Sequence, residues 1–207
     1  VLKKSVIQST IRKLKNERKV EHMKKIKLLV GVLFVAILAA GCTHVSEDAK
    51  VDTFILNKDN SITDVSVEDY SDSSFKIDDL ESFVKDSVVD YNEKNGDDSI
   101  VVKSYTEDKK VVKLVMEYAT IKDYNNFNNT TYTVEKVSKA DLDGKVKDMD
   151  GKKVSVDDVE DTYRVLTINA STDVYVKNAK YYSTNLKMSE DKVFTNADEE
   201  VGYIIFK

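Results

Sequence analysis

The sequence contains few of the side chains that enzymes use as nucleophiles, bases or zinc ligands. It has one cysteine, Cys42, and two histidines, His22 and His44, all in the N-terminal part of the 207-residue chain. A disulfide bond within the chain is therefore excluded. A Ser-His-Asp triad and a histidine-bearing zinc site are excluded from the rest of the chain. We expect a protein without enzymatic activity.

Proline and glycine are also scarce. Proline is absent, and the glycines after Cys42 are far apart in the sequence: Gly96, Gly144, Gly151 and Gly202. A glycine-rich phosphate-binding loop cannot be assembled from them. Nucleotide chemistry is therefore not expected, and no cofactor is predicted.

Positive charge is scarce after residue 41. Residues 1–41 contain ten Lys and Arg against two Asp and Glu, which leaves 22 cationic and 35 anionic side chains, a net charge of −13, in residues 42–207. A domain this acidic is repelled by nucleic acid and by anionic lipid, which argues against both as partners. The pattern favours a solvated acidic surface, and affinity for metal ions or for a cationic partner is the alternative.

The most specific pattern in the chain is a secretory signal peptide at residues 23–41. Three lysines precede an apolar run at 28–38, and small residues follow at 39–41. This order is typical of a signal peptide. The alternative is an uncleaved membrane anchor, but the uncharged run at 28–41 is shorter than the roughly 20 residues that span a bilayer.

The small residues are followed directly by Cys42. The sequence Leu38-Ala39-Ala40-Gly41-Cys42 resembles the bacterial lipobox, although Ala39 stands where leucine is commoner. The resemblance implies that the Cys42 thiol receives a diacylglycerol and that cleavage makes Cys42 the mature N-terminus. Acyl chains of the palmitate type would then hold the protein on the extracytoplasmic face of the cell membrane, and no thiol nucleophile would remain.

The signal peptide divides the chain into segments. Residues 1–22 are basic and precede a suitable initiator, Met23, so we interpret them as a gene-start artefact or, alternatively, as a long basic cytoplasmic leader. Residues 42–50 are polar and are predicted to form a tether. Residues 51–207 have the length of one domain, which is enough to bury a core without disulfide bonds.

Alternating and β-branched segments predict a sheet-rich domain. One hairpin is expected from strands at 53–56 and 62–67, and another from strands at 99–106 and 111–119. A short helix is predicted at 121–127, and further strands at 130–137, 163–169, 172–177, 180–183, 192–195 and 202–207.

One strong helical pattern lies between the two hairpins. Apolar residues recur at helical spacing from Ile77 to Tyr91, and Asn95-Gly96 provides a stop signal. The predicted fold class is therefore α+β, with an antiparallel β-sheet built from hairpins and one main helix packed on it.

The same segments are similar to small surface lipoproteins of clostridia-like Gram-positive bacteria. The similarity rests on the lipobox, the Asp59-Asn60-Ser61 turn followed by Val67-Glu68-Asp69-Tyr70, the helix from Asp78 that ends in Tyr91-Asn92-Glu93-Lys94-Asn95-Gly96, Met116-Glu117-Tyr118, and Tyr203-Ile204-Ile205-Phe206-Lys207. It covers most of the chain after Cys42. It implies membrane anchorage and no known activity.

Residues 124–132 interleave aromatic and amide side chains. Tyr124, Asn125, Asn126 and Tyr132 are of the types that stack on sugars and hydrogen-bond to them, so they are candidate ligand-binding residues. The alternative is a polar helix end in which Tyr124 and Phe127 pack inward at i, i+3 spacing. The absence of tryptophan from the chain favours this alternative.

Arg164 is the only arginine after the signal peptide. Its guanidinium group can bind the carboxylate of a ligand in a fork geometry. The alternative, which we favour, is pairing with a carboxylate of the chain itself, namely Asp157, Asp158, Glu160 or Asp161.

The sequence Asp148-Met149-Asp150-Gly151 partly matches an EF-hand calcium loop. If Gly151 takes the sixth position, Val146 occupies the first ligand position and Asp157 stands where Glu is required, so both ends of the loop fail to match. We therefore predict a β-turn rather than a metal site. Asp148 and Asp150 are the candidate ligands should a metal bind.

These patterns predict a lipid-anchored, non-catalytic binding or interaction module at the cell envelope, with an envelope protein or a glycan as its partner. One alternative is a glycan- or solute-binding lipoprotein. The other is a hydrolase that uses two of the many carboxylates as acid and base.

Overall fold

The computed structural model describes residues 43–71, 77–140, 142, 144–196 and 200–207. These residues form the α-helices α1 (Thr43–Asp48), α2 (Ile77–Asn95) and α3 (Ile121–Asn128), and short 3₁₀ helices at Val137–Lys139 and Val156–Asp158. The strands are β1 (Thr53–Leu56), β2 (Ile62–Asp69), β3 (Ile100–Asp108), β4 (Val111–Tyr118), β5 (Thr133–Lys136), β6 (Lys145–Asp148), β7 (Lys153–Ser155), β8 (Arg164–Ile168), β9 (Thr172–Val176), β10 (Ala179–Ser183), β11 (Lys187–Met188), β12 (Val193–Asn196) and β13 (Gly202–Phe206).

Seven strands form the larger sheet, in the order β11-β12-β9-β1-β2-β4-β3. The two predicted hairpins, β1–β2 and β3–β4, are both present. Strand β2 also pairs with β4 along its whole length, from Ile62 opposite Tyr118 to Asp69 opposite Val111. Neighbouring strands are antiparallel except for β1 and β9, which run parallel.

Six strands form the smaller sheet, in the order β5-β8-β13-β10-β6-β7. All of its pairs are antiparallel. Strand β13 lies between β8 and β10, so the predicted paired strand at residues 202–207 is confirmed. The β9–β10 connection at 177–178 links the two sheets, and Asn178 adopts a left-handed conformation there with φ 66°.

Both sheets contribute to one shared core. On the larger sheet, Phe54, Ile62 and Leu114 are buried on the same face, which we call the inner face. Leu166 and Ile204 of the smaller sheet belong to the same core. By strand alternation, the next residues along β8 and β13 face the other way, and they form a smaller cluster around the fully buried Val146.

Helix α2 covers one side of the shared core. Leu80, Val84 and Val88 recur every four residues on one helix face and are buried. The helix ends at Asn95, and Gly96 follows with φ +115°, a conformation that favours glycine. The predicted helix and its stop signal are therefore confirmed.

Strand β3 is an edge strand among the described residues, and helix α2 covers part of its free edge. Ile100 N donates to Asn92 Oδ1 at 2.9 Å, and Asn92 Nδ2 donates to Ile100 O at 2.8 Å. The side-chain amide thus takes the place of a neighbouring strand. Farther along, the register shifts between Val102 and Ser104, and Lys103 at this bulge pairs with Glu117 at 3.1 Å.

The expected architecture of one antiparallel sheet with one main helix is only partly correct. The domain is α+β and rich in antiparallel strands, but the described residues form two sheets and three α-helices, and β1–β9 is a parallel pair. Alternation reveals which positions of a strand are buried, but it carries no information on which strand lies beside it. The number of sheets therefore could not be derived from it.

Some described segments have secondary structure that the sequence patterns did not predict. Within the predicted tether at residues 42–50, Thr43–Asp48 form helix α1. The short strands β6, β7 and β11 were not predicted, because lysine-rich segments of two to four residues lack a readable alternation. Tertiary contacts decide the structure of such segments.

Replacing Asn92 with alanine should destabilise the fold, because the N–H and C=O of Ile100 lose their partners. Two net hydrogen bonds correspond to about 1–3 kcal/mol, which denaturant unfolding would measure. Glu93→Ala is the matched control, since Glu93 is an exposed neighbour on the same helix. Equal stability of the two variants would contradict the role of Asn92.

Candidate functional site

The aromatic and amide residues at 124–132 lie on helix α3 and on the loop that leads to β5. Thr120 precedes the helix in an extended conformation, and its Oγ1 accepts from Asp123 N at 3.2 Å, which caps the first turn. Asn129 ends the helix with φ 54°, and its N–H donates to Asn125 O. The segment is therefore a capped helix followed by a tight loop.

The two tyrosines of this segment point into the core. Tyr124 and Tyr132 are each only 1 % exposed. The Phe54 ring lies 4.9 Å from the Tyr124 ring and 5.3 Å from the Tyr132 ring, and Tyr118 lies 5.2 Å from Tyr124, all edge to face. Phe127 is partly buried against the same core. The alternative of inward packing is therefore confirmed, and neither ring is accessible to a sugar.

The two asparagines have internal partners as well. Asn125 Nδ2 donates to Tyr132 O at 2.7 Å, and Asn125 Oδ1 accepts from Tyr132 N at 3.0 Å and from Thr130 Oγ1 at 2.8 Å. This amide holds the loop against the helix. Asn126 is exposed, and its side chain hydrogen-bonds to the hydroxyl of Tyr91.

A buried carboxylate that the sequence did not single out lies beside the aromatic cluster. Asp64 is 7 % exposed on the inner face of β2, between Phe54 on β1 and Met116 on β4. Its Oδ2 accepts from Ser66 Oγ at 3.3 Å. Both faces of β2 are buried along residues 62–66, so alternation gives no sign of which one carries the charge.

Burial and this carboxylate both act on the neighbouring tyrosines. Burial raises the pKa of Tyr118 and Tyr124 well above the ordinary value, and the negative charge of Asp64 raises both further. The pKa of Tyr132 is raised for the same two reasons. These hydroxyls therefore stay protonated at neutral pH, and Asn128 Nδ2 donates to that of Tyr118 at 3.1 Å.

Arg164 lies at the start of β8 and bridges the two sheets. Its Nη1 donates to Asn60 Oδ1 in the β1–β2 turn, and its guanidinium lies 5.3 Å from the centroid of the Phe206 ring. Pairing within the chain was the favoured expectation, but the partner differs. None of the described carboxylates at 157, 158, 160 and 161 forms an ion pair with Arg164, because the guanidinium is directed towards an amide.

Asp148 lies in the turn between β6 and β7. Its Oδ1 accepts from Asp150 N at 3.0 Å and from Lys152 N at 2.9 Å, and Gly151 adopts φ +82°. The carboxylate thus closes its own turn, as aspartate commonly does. Asp150 is exposed in the same turn. The predicted β-turn is therefore present.

The N-terminal segment is bound to the larger sheet by a lysine that the sequence did not identify. Lys113 projects from β4 on the outer face, opposite the inner face that carries Leu114. Its Nζ donates to Glu47 O at 2.6 Å and to Ala49 O at 2.9 Å. Burial lowers the pKa of Lys113, and the carboxylates of Asp48 and Glu47 oppose this shift.

Cys42, the predicted lipidation site, lies outside the described residues. Within the described part of the chain, no helix is both long and apolar enough to cross a membrane. Across the same residues, no three His, Cys, Asp or Glu side chains are grouped as metal ligands would be.

Comparison with models of known protein families, with curated proteins and with solved structures gave no match. The similarity to surface lipoproteins therefore remains a prediction that depends on the residues of this chain.

Raising the pH above about 10 should destabilise the protein through its buried tyrosines. Each buried tyrosine has a higher pKa in the folded state than in the unfolded state, where the pKa is near 10. The stability that this difference contributes is complete below pH 10 and is lost as the pH rises through the folded-state pKa. Between the two pKa values, each buried tyrosine should lower the free energy of unfolding by about 1.4 kcal/mol per pH unit.

The variant Tyr124→Phe isolates this effect, because it keeps the ring and removes the ionisable group. Denaturant unfolding of both proteins at several pH values should show a slope that is smaller in the variant by about 1.4 kcal/mol per pH unit above pH 10. Identical slopes would show that Tyr124 does not retain its proton in the fold.

Calcium should leave the melting temperature close to its value in a chelator. The Asp148 carboxylate already accepts two backbone hydrogen bonds, and the first ligand position of a calcium loop is held by Val146. Thermal unfolding in millimolar calcium and in chelator tests this. A rise of several degrees that is abolished by Asp148→Ala with Asp150→Ala would establish a metal site.

Proposed function

We propose that the protein is a lipid-anchored, extracytoplasmic domain of the cell envelope that acts as a non-catalytic binding or interaction module. The observation that carries this proposal is the sequence of residues 23–42, where a basic start, an apolar run and small residues lead directly to the only cysteine.

Acylation of Cys42 would explain this combination of features. A single acyl chain binds a bilayer reversibly, whereas two chains give stable attachment at about 0.8 kcal/mol per buried methylene group. The acidic domain would not bind an anionic membrane by its own surface charge. A covalent lipid supplies the attachment that this surface lacks.

The contacts of the candidate residues support a non-catalytic role. Tyr124 and Tyr132 pack in the core, Arg164 binds Asn60, and the Asp148 carboxylate closes a turn. Each of these side chains stabilises the domain itself. The buried tyrosines also give no support to the glycan-binding alternative, because a sugar platform needs accessible aromatic faces.

The variant Cys42→Ala tests the anchor. We expect the wild-type protein to incorporate labelled palmitate, to sediment with membranes and to have the mass of a chain that begins at a diacylated Cys42. The variant should carry no label and should accumulate as unprocessed precursor or appear outside the membrane fraction.

His44→Ala is the control, because it changes a residue two positions away and leaves the cysteine in place. It should be labelled and processed like the wild type. An unchanged mass and unchanged membrane fractionation in Cys42→Ala would rule out the lipoprotein assignment.

A further inference from the structure

We propose that the domain sits on the membrane surface by one end of its larger sheet, with the lipid headgroups as its neighbour there. This Lys113 end consists of Lys113 with residues 47–49 bound to it, the β3–β4 turn at Lys109 and Lys110, and the end of β2 at Asp69. The inference rests on the proposed acylation of Cys42.

The first support is the contact between the N-terminal segment and β4. The Lys113 ammonium binds two backbone carbonyls at the C-terminal end of α1, where helix carbonyls lack partners within the helix and a positive charge is favourable. The lysine lies more than 60 residues farther along the chain, so this contact fixes the segment to the domain.

The chain between α1 and β1 is fixed as well. Asp52 Oδ1 accepts from Val67 N at 2.9 Å, and Asp52 O accepts from Asp173 N at 3.3 Å. Thr53 then begins β1. The sheet end of this connection is therefore fixed at Asp52, so any movement of the N-terminal segment is confined to residues before Asp52 and requires the Lys113 bonds to break.

The chain between Cys42 and this contact is short. Cys42 precedes Glu47 by five residues, and Thr43–Asp48 are helical. At a rise of about 1.5 Å per helical residue, Thr43 lies about 6 Å along α1 from Glu47, whose carbonyl Lys113 binds, and the one residue before Thr43 adds at most about 3.8 Å of chain. A lipid on Cys42 would therefore enter the membrane close to the Lys113 end.

The opposite end of the sheet is much farther away. Strand β4 has eight residues, which corresponds to a length of about 27 Å. At its far end lie the β1–β2 turn at residues 57–61 and helix α3. A domain fixed by its Lys113 end would direct this far end, with the exposed Asn126, away from the membrane and towards envelope partners.

Surface charge has a minor part in this orientation. Lys109 and Lys110 are exposed at the β3–β4 turn, but Asp108 and Asp69 are next to them in the chain and across the sheet. The local charges nearly cancel, so the covalent attachment and the Lys113 contact would set the orientation.

Fluorescence quenching of the lipidated protein in phosphatidylcholine vesicles tests the orientation. With Cys42 in a thioether, a cysteine introduced by Lys109→Cys or by Lys58→Cys is the only free thiol for a fluorophore. Both positions are exposed lysines in turns, one at each end of the sheet. A headgroup-attached quencher should quench the label at 109 severalfold more than the label at 58.

When Lys113→Met is added, the labels at 109 and 58 should be quenched almost equally, because the chain before Asp52 is released from β4 and becomes a flexible linker. Lys113→Arg, which keeps the charge, should preserve the difference. Lys103→Met is the control: it removes the ion pair with Glu117 on the same pair of strands and leaves α1 bound. Replacing part of the lipid by phosphatidylglycerol should not increase the difference, because anionic lipid repels the acidic domain.

Equal quenching of the labels at 109 and 58 in the lipidated protein that retains Lys113 would overturn the orientation alone. A difference between the two labels that appears only with anionic lipid would do the same. A difference that survives Lys113→Met would overturn the role of the Lys113 contact. Mass spectrometry of the same samples separates these results from failure of the anchor: a Cys42 without lipid would overturn the proposed function and this inference together.

Discussion

Strand β1 connects parts of the chain that are far apart in sequence. It pairs with β2 on one side and, in parallel, with β9 on the other, so that Phe54 lies between Asp64 and Val174. The Phe54 ring also contacts Tyr124 and Tyr132, which brings helix α3 and the loop before β5 onto the same strand. A parallel neighbour needs a long crossover, and here the crossover includes α2, the β3–β4 hairpin and four of the six strands of the smaller sheet. The shared core therefore closes around one short, fully buried strand.

Local features of this fold were predictable, whereas its long-range pairing was not. The β1–β2 hairpin follows from two β-rich segments around a turn, and α2 follows from its apolar spacing and the stop at Gly96. These signals lie within a few residues of the structure they specify. The parallel β1–β9 pair joins segments more than 100 residues apart, and the buried positions of both strands would suit other neighbours equally well. Helix α1 has no apolar repeat, and the acceptors of its contact with Lys113 are backbone carbonyls, which every residue possesses.

The same difference between local and long-range signals applies to the candidate site residues. Tyr124 was a candidate ligand-binding residue, and the alternative that placed it in the core rested on its i, i+3 spacing with Phe127, which is a local signal. The partner of Arg164 was sought among nearby acidic residues, but Asn60 lies 104 positions away in the sequence. Asp64 gives no local signal because a carboxylate in a strand is usually solvated, whereas here it is buried between Phe54 and Met116 on the neighbouring strands, and its charge acts on the buried tyrosines.

The protected edge of β3 has a consequence for the lipid-anchored state proposed above, in which copies of the domain would share one membrane surface. Proteins confined to a membrane meet one another at high local density and with restricted orientations, conditions under which an open strand can pair with its equivalent on the next copy. In this domain the Asn92 amide occupies the first backbone groups of β3, and the bulge at Lys103 bends the strand and adds a charge. Crowded neighbours would thus meet an irregular, charged edge that resists the growth of a continuous sheet from one molecule to the next.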